Sequence, residues 1–537
     1  MGVALLLFVG LFAFTFWLES KIENMVAKQS NGVYRLQLYG LETSPFLGSL
    51  SVDSLSLAPD YKRWEELNGK GQQVPRTLLD LRTNGISMRR LSYAKVLFSQ
   101  DVVLDELAVQ QPNMVMTVMR QDTTTTHKPL HETLKGFMNG LAIGKIDVNQ
   151  ASLHYRSGAQ SDTMLSVQRF LLTVTDFKLN SASFHAKDRA YYAQKYEVQA
   201  TDASFLLPDG LYKATTDSLF VNSVTGEIIV KKIQLNPLVG PAALARAKGE
   251  AVTHQELKVE QVACKGMDFG KHSRSNEVRI KYVLVQTPSL IAFKDKQHFN
   301  IKGKKPMPHE MVQSIKTPFL IDSLELKNGY ARYAELVPEA AERGHITFHK
   351  LNAVATNISN IPEQISMEKP AVIKASTMVM DRAKLEVTAR IPLLHKNGYH
   401  TLEGTIGEAN LQMLNPILIP TAFVRMESGQ VRSGSFKAEL NDSEANGNLT
   451  LLYSNLKIDL LTKGSGGEQG LGKNVLSFLA NTVAIKDANP SEGEKPRIGT
   501  IMVNRDPQRS FLSYWKDCIS SGFLSSMGLK GMAKGNI

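Results

Sequence analysis

The chain has 537 residues, of which 43% are hydrophobic and 21% charged, so it is too apolar to be disordered and long enough for several domains. A net charge of +11 favours anionic partners, but the Lys and Arg residues are scattered and no nucleic-acid-binding motif is present, so we predict no nucleic-acid partner. The two cysteines, Cys264 and Cys518, lie too far apart in sequence to indicate a metal site or a disulfide framework.

The first segment predicts a membrane anchor. Residues 2–18 carry no charge and would extend roughly 25 Å as a helix, the short limit for crossing a bilayer. A cleavable signal peptide is the alternative, but no small-x-small cleavage site follows and no basic region precedes. We therefore predict an uncleaved single-pass anchor at residues 1–20, with the remaining chain on one side. Its large apolar residues are Leu5, Leu6, Leu7, Phe8, Phe12, Phe14, Phe16 and Trp17.

The segments after the anchor alternate apolar and polar residues, the pattern of strands with one buried and one solvated face. Residues 50–57, 324–327 and 449–460 show this pattern, and turn signals such as Asn31-Gly32 separate the segments. Because such tight connections favour meanders, we predict a fold dominated by β-structure, with short helices and a long antiparallel sheet.

An internal duplication divides the chain. Residues 34–59 match residues 212–237, and residues 143–155 match 321–333 at the same spacing, while residues 104–112 match 280–288. A fold that repeats in this way grows along an axis and offers an extended surface or groove. We predict repeat units at residues 30–205 and 206–380, a further β region at 381–463, and a linker and tail at 464–537.

The chain carries no recognisable catalytic constellation. His131-Glu132 and His309-Glu310 stand where a polar residue would begin a short helix, and neither pair belongs to an HExxH motif. Gly-x-Ser-x-Gly elbows, P-loops and dinucleotide-binding motifs are also missing from the sequence. We predict that the protein is not an enzyme and has no catalytic residues, metal or cofactor.

The tail contains four large apolar residues at four-residue steps, Phe511, Trp515, Ile519 and Phe523, which predict an amphipathic helix. A Gly-rich stretch at residues 464–472 separates this helix from the last strands. The spacing is equally compatible with a helix that lies in a membrane interface and with a terminal helix docked on its own sheet.

The order of these features resembles that of the AsmA-like proteins of Gram-negative envelopes. The resemblance rests on the short anchor, the segment LYGLETSPFLGSLSVDSLSLAPD, the repeated β units and a more specific late block. In that block, an Asn-Pro follows a strand, a Ser-Gly turn comes next, and residues 447–456 read Gly-x-Leu-x-Leu-x-Tyr-x-x-Leu. The likeness extends over nearly the whole chain.

This resemblance implies a repeating β-groove: a long, strongly curved sheet, apolar inside, anchored in the inner membrane with its body in the periplasm. Members of the family are associated with phospholipid traffic to the outer membrane and with its integrity. The implied partners are therefore phospholipids, the inner membrane, and the outer membrane or one of its proteins.

The residues predicted to line this groove are the alternating apolar residues Leu324, Leu326, Leu449, Leu451, Ile458 and Leu460. An ordinary closed β core is the alternative for the same residues. A scaffold for the assembly of outer-membrane proteins is the alternative function, and an exported hydrolase is a weaker one.

Overall fold

The computed structural model describes residues 2–44, 46–99, 101–120, 129–133, 139–158, 161–461 and 485–528. It is 53% strand and 18% helix, which confirms the prediction of a fold dominated by β-structure. The predicted Gly-rich linker at residues 464–472 lies outside the described residues.

The strands are β1 (Tyr34–Tyr39), β2 (Glu42–Ser44), β3 (Ser49–Val52), β4 (Ser54–Pro59), β5 (Thr77–Thr83), β6 (Gly85–Arg89), β7 (Asp101–Gln110), β8 (Asn113–Val118), β9 (Gly140–Ser157), β10 (Thr163–Leu179), β11 (Lys195–Leu206), β12 (Tyr212–Asn222), β13 (Glu227–Pro237), β14 (Thr253–Lys265), β15 (Val278–Gln286), β16 (Ser289–Asp295), β17 (Phe319–Leu336), β18 (Gly344–Ser359), β19 (Ala371–Val379), β20 (Ala383–Ile391), β21 (His400–Ile406), β22 (Ala409–Asn410), β23 (Val424–Leu440), β24 (Glu444–Leu460) and β25 (Ile498–Asn504).

The helices are α1 (Gly2–Gln29), α2 (Tyr61–Gly69), α3 (Tyr93–Phe98), α4 (Leu130–Thr133), α5 (Ser181–His185), α6 (Pro241–Lys248), α7 (Phe269–Ser275), α8 (Pro308–Gln313), α9 (Asn415–Ala422) and α10 (Phe511–Ser526). Among the helices of the described residues, none is both long enough and apolar enough to cross a membrane. Of the predicted anchor residues, only Trp17 has a side chain within the described part of the chain, and it is exposed.

The chain divides into two compact units. Unit 1 consists of Met1–Lys232 and Lys265–Glu277, and unit 2 of Ile233–Cys264 and Val278–Ile537. The domain boundaries proposed from the sequence, at residues 206 and 381, stay predictions.

A long central strand organises the sheet of unit 1. The first half of β9 pairs with β7 and its second half with β8, both parallel, and its other edge pairs antiparallel with β10. From β10 the sheet continues antiparallel through β11 and β12. On the other side, β7 leads to β6 and β3, while β8 leads to β5, β4 and β1.

Unit 2 repeats this arrangement around β17, which pairs in parallel with β15 and β16 and antiparallel with β18. The register is also repeated: Leu104 lies opposite Ile143, and the residues matched to them in sequence, Ile280 and Ile321, also lie opposite each other. The duplicated sequence therefore encodes the same strand pairing twice. The sheet of unit 2 then runs antiparallel through β19, β20, β21, β23, β24 and β25.

The prediction of an antiparallel sheet is wrong at two places, where β9 and β17 each pair in parallel with the two preceding strands. Parallel neighbours need a crossover connection of roughly a dozen residues or more. Two connections, from β8 to β9 and from β16 to β17, are of this kind, and they carry α4 and α8. The sequence pattern indicated these helices but not that the chain returns in the same direction after them.

Helices cover the apolar face at one end of each unit. In unit 1, Leu18 and Ile22 of α1 pack on a buried cluster that includes Leu38 and Leu104. In unit 2, a larger buried cluster includes Leu402, Phe436 and Leu449 and is covered by α9 and α10, with part of α8 against it. The side chain of Trp64 anchors α2 on a third cluster, and its indole N–H donates to the Pro75 carbonyl at 2.7 Å.

Candidate functional site

Two rows of apolar residues cross the strands of unit 2. Residues that lie directly opposite each other in neighbouring strands point to the same face of a sheet, so the register defines each row. We call these the apolar rows of unit 2. The first row is Val285, Leu326, Ala353, Ala375, Val387, Gly404, Phe436 and Leu449. The second is Val283, Leu324, Ala355, Ile373, Ala389, Leu402 and Ala438.

The residues between the two rows point to the opposite face, which is polar. From β17 to β24 they are Glu325, Val354, Lys374, Thr388, Glu403, Lys437 and Asn448, and on β15 the corresponding residue is Leu284. A hollow of about 820 Å³ lies over β18–β24, and most of its lining residues belong to this polar face, among them Lys374 and Glu403. The two faces of the sheet therefore differ sharply in polarity.

The apolar rows of unit 2 pass from partly exposed to buried along the sheet. The first row is half-buried from Val285 to Gly404 and becomes buried at Phe436 and Leu449. The second row is buried at Val283, half-buried from Leu324 to Ile373, and buried again from Ala389 onwards. An apolar strip is thus left accessible over β17–β19, and in the first row as far as β21.

Unit 1 has an equivalent pair of rows, called here the apolar rows of unit 1, whose residues were not among those predicted to line a groove. One row is Val52, Ile86, Val109, Val148, Leu172, Val198 and Val221. The other is Leu50, Met88, Leu107, Ile146, Val174 and Tyr196. The first is half-buried from Ile86 to Val221. Several members of these rows belong to the duplicated skeleton, and that recurrence was the available signal.

The six predicted groove residues fall into two groups. Leu324 and Leu326 lie in the apolar rows of unit 2 and are half-buried. By contrast, Leu449 and Leu451 are 1% and 2% exposed and belong to the cluster beneath α10, so in this structure they fill a closed core. Ile458 packs at the edge of that cluster, and Leu460 lies opposite Val424, with its side chain outside the described part of the chain.

The C-terminal helix α10 is docked on the sheet. All four residues predicted for its apolar side, Phe511, Trp515, Ile519 and Phe523, pack against the core of unit 2. The contact is close because two glycines face each other: a Cβ on Gly499 would lie 2.0 Å from the Gly522 carbonyl oxygen. Of the two alternatives for this helix, the structure has the docked one.

A buried histidine ties α10 to the sheet. The His400 Nδ1–H donates to the Gly398 carbonyl at 2.8 Å, and Nε2 accepts the indole N–H of Trp515 at 3.0 Å. This pattern requires a neutral ring, because a proton on Nε2 would remove the acceptor for Trp515. Burial lowers the pKa of His400, while the hydrogen bond to Gly398 opposes that effect.

We expect acid to destabilise the chain through His400. The unfolded-state histidine takes up a proton near pH 6.5, whereas the folded-state pKa lies lower, so the unfolded state binds more protons in that window. The thermal midpoint should therefore fall as the pH drops from about 7 to about 5, and His400→Gln should reduce that dependence. His185→Gln is the control, because His185 is exposed on α5. A pH dependence unchanged by His400→Gln would contradict this account.

The two His-Glu pairs lie in short helices, as predicted. His131 and Glu132 lie in α4, and His309 and Glu310 in α8. The Glu310 carboxylate accepts the Met307 N–H at 2.8 Å and pairs with Lys304, so it stabilises the start of α8. Possible ligand atoms of His309, Glu310 and Asp442 lie within 4.8 Å of one another, but Glu310 already has these two partners.

No family model matches this chain, and no curated protein is significantly similar to it. The resemblance to AsmA-like proteins stays a prediction.

Proposed function

We propose that this protein is a membrane-anchored lipid-transfer protein whose apolar rows bind the acyl chains of glycerophospholipids. The observation that carries the proposal is the alignment of half-buried apolar residues across successive strands of each unit, with Leu324 and Leu326 among them. An ordinary β core would bury these residues fully, whereas an accessible strip lets another apolar group complete the burial.

Energetics favour such a role. An acyl chain of about 16 carbons that leaves a bilayer for water costs roughly 12 kcal/mol, at about 0.8 kcal/mol for each CH₂ group. Contact with a continuous apolar strip removes a large part of that cost, while the headgroup stays in water. No catalytic group or cofactor is needed for this function.

The dimensions of the strip also suit an acyl chain. The first row of unit 2 crosses six strands between Val285 and Gly404. At about 4.8 Å between neighbouring strands, this is roughly 24 Å. One leaflet of the hydrocarbon core is about 15 Å thick, so a single extended chain fits along the row.

In this proposal, α1 anchors the protein in the inner membrane, the rest of the chain lies in the periplasm, and phospholipids pass toward the outer membrane. The sequence supports the anchor through the uncharged segment at residues 2–18. The direction of transfer follows from the AsmA-like resemblance, as does the expected contribution to outer-membrane integrity.

Lipid retention tests the proposal. We expect the full-length protein, extracted in mild detergent and purified, to carry glycerophospholipids that mass spectrometry detects at close to stoichiometric amounts. It should also accelerate the transfer of fluorescent phospholipid between donor and acceptor vesicles. A lipid-free protein that retains unfolded outer-membrane polypeptides would instead favour the assembly scaffold.

A further inference from the structure

Three large apolar side chains are unusually exposed in unit 1. Phe46, Leu47 and Phe98 are 86%, 76% and 89% exposed. Phe46 and Leu47 lie in the turn between β2 and β3, and Phe98 ends α3. Large apolar residues exposed together usually mark a contact with a protein or a membrane.

The segments that carry these three side chains lie at one end of the sheet, where β3, β7 and β9 begin. The Leu91 N–H donates to the Gly48 carbonyl at 2.7 Å, and the Tyr93 hydroxyl donates to the Ser49 carbonyl at 2.8 Å. These bonds hold the start of α3 against the turn that carries Phe46 and Leu47. We call Phe46, Leu47 and Phe98 the tip patch.

The N-terminal helix leads toward the same end. The Leu38 N–H donates to the Glu23 carboxylate at 2.9 Å, and the hydroxyls of Thr15 and Thr43 are 2.9 Å apart. Going toward its N-terminus, α1 therefore runs beside β1 and β2 in the direction of the tip patch. From Thr15 to its first residue, Gly2, the helix extends roughly a further 20 Å at about 1.5 Å per residue.

The residues of α1 that follow Thr15 are of types that favour a membrane surface. The Trp17 side chain is 46% exposed, and the Lys21 ammonium lies 4.4 Å from the centre of its ring. Tryptophan is enriched at bilayer interfaces, and lysine can extend its ammonium to the headgroups. Lys95, also exposed, adds a positive charge on α3 beside the tip patch.

We propose that the tip patch inserts into the surface of the bilayer that receives α1. The partner is the lipid bilayer itself, because the uncharged part of α1 continues past the tip patch in the same direction. Insertion would bring Phe46, Leu47 and Phe98 to a depth of roughly 5–10 Å, the boundary between headgroups and acyl chains. The inference rests on the membrane insertion of α1 proposed above, though not on lipid transfer along the rows.

Docking in this way brings the end of the unit 1 sheet that leads to its apolar rows close to the bilayer. β7 and β9 both begin at this end of the sheet, and their residues Leu104 and Ile143 lie opposite each other near the start. Both residues are buried in the cluster beneath α1, so an acyl chain that leaves the bilayer would first reach accessible apolar side chains farther along these strands, in the rows.

Environment-sensitive labels test the tip patch. Single cysteines at positions 7, 47, 98 and 224, in the full chain carrying Cys264→Ser and Cys518→Ala, would each be labelled with the fluorophore NBD. The protein would be reconstituted in vesicles of phosphatidylethanolamine and phosphatidylglycerol, with and without nitroxide-labelled lipid. Val224 provides a stringent control, because it is 67% exposed and lies in the turn between β12 and β13, at the same end of the sheet but three strands away from β9.

We expect labels at positions 47 and 98 to emit at shorter wavelength than the label at 224 and to be quenched several-fold more by nitroxides in the upper acyl chain. Labels at 47 and 98 that behave like the one at 224 would overturn the inference. The label at position 7 reports the insertion of α1. If it is quenched while the labels at 47 and 98 are not, only the insertion of the tip patch is contradicted. If none of the three labels is quenched, the proposed membrane anchor is contradicted as well.

Discussion

Replacing Leu326 with Asp is expected to abolish lipid retention while leaving the protein folded. Leu326 is a half-buried member of the first apolar row of unit 2, opposite Ala353. A carboxylate there would lose its hydration whenever an acyl chain lay along the row, at a cost of several kcal/mol. This cost is comparable with a large part of the binding free energy gained by burying the acyl chain. The lipid detected by mass spectrometry should therefore fall to background.

The control for this substitution is Val354→Asp. Val354 is the next residue after Ala353 on β18, is 40% exposed and points to the polar face. The same apolar-to-acidic change there should leave lipid retention unchanged. Circular dichroism and the thermal midpoint would show that both variants remain folded. If both variants lost lipid to the same degree, or if neither did, the apolar rows would not be the binding face.

Replacing Gly499 with Val is expected to undock α10 and to destabilise unit 2 by about 1–3 kcal/mol. A Cβ at position 499 would lie 2.0 Å from the Gly522 carbonyl oxygen and 2.8 Å from the Ser526 backbone nitrogen. Neither atom belongs to a flexible side chain, so the helix itself must move. Valine favours strands, so β25 should tolerate it.

Two measurements report the effect of this substitution. The thermal midpoint should fall, and Trp515 emission should shift to longer wavelength as the indole leaves His400. Gly85→Val is the matched control, because Gly85 also lies in a strand but its nearest side-chain atoms are 3.7 Å away, an ordinary contact. Equal thermal midpoints for Gly499→Val and the parent protein would contradict the close helix packing.

The comparison of Leu326 with Leu449 shows what the sequence can predict and what it cannot. Both residues lie in alternating segments and in the same row, yet Leu326 is half-buried and Leu449 is 1% exposed. The difference comes from α10, whose Gly522 lies directly over Leu449 and far from it in sequence. Local alternation predicts that one face of a strand is apolar, but a distant helix decides whether that face is covered.

The sequence pattern does not indicate the small residues of the rows, for a related reason. Gly404 shows no apolar alternation, but a Cβ there would lie 2.5 Å from the ring of Phe436 on the neighbouring strand. The glycine makes room for that ring and so belongs to the same surface. Only the register of β21 against β23 reveals this. The duplication was visible because Ile143 and Ile321 occupy matching places in sequence and in pairing.

Photo-crosslinking in living cells tests the central claim most directly. A photoreactive amino acid placed at Val148 or Leu326, in the apolar rows, should form adducts with glycerophospholipid that mass spectrometry identifies. The same amino acid at Leu171 or Val354, on the opposite face of the same sheets, should form none. Adducts with polypeptide alone at the row positions, and never with lipid, would contradict lipid transfer along these rows.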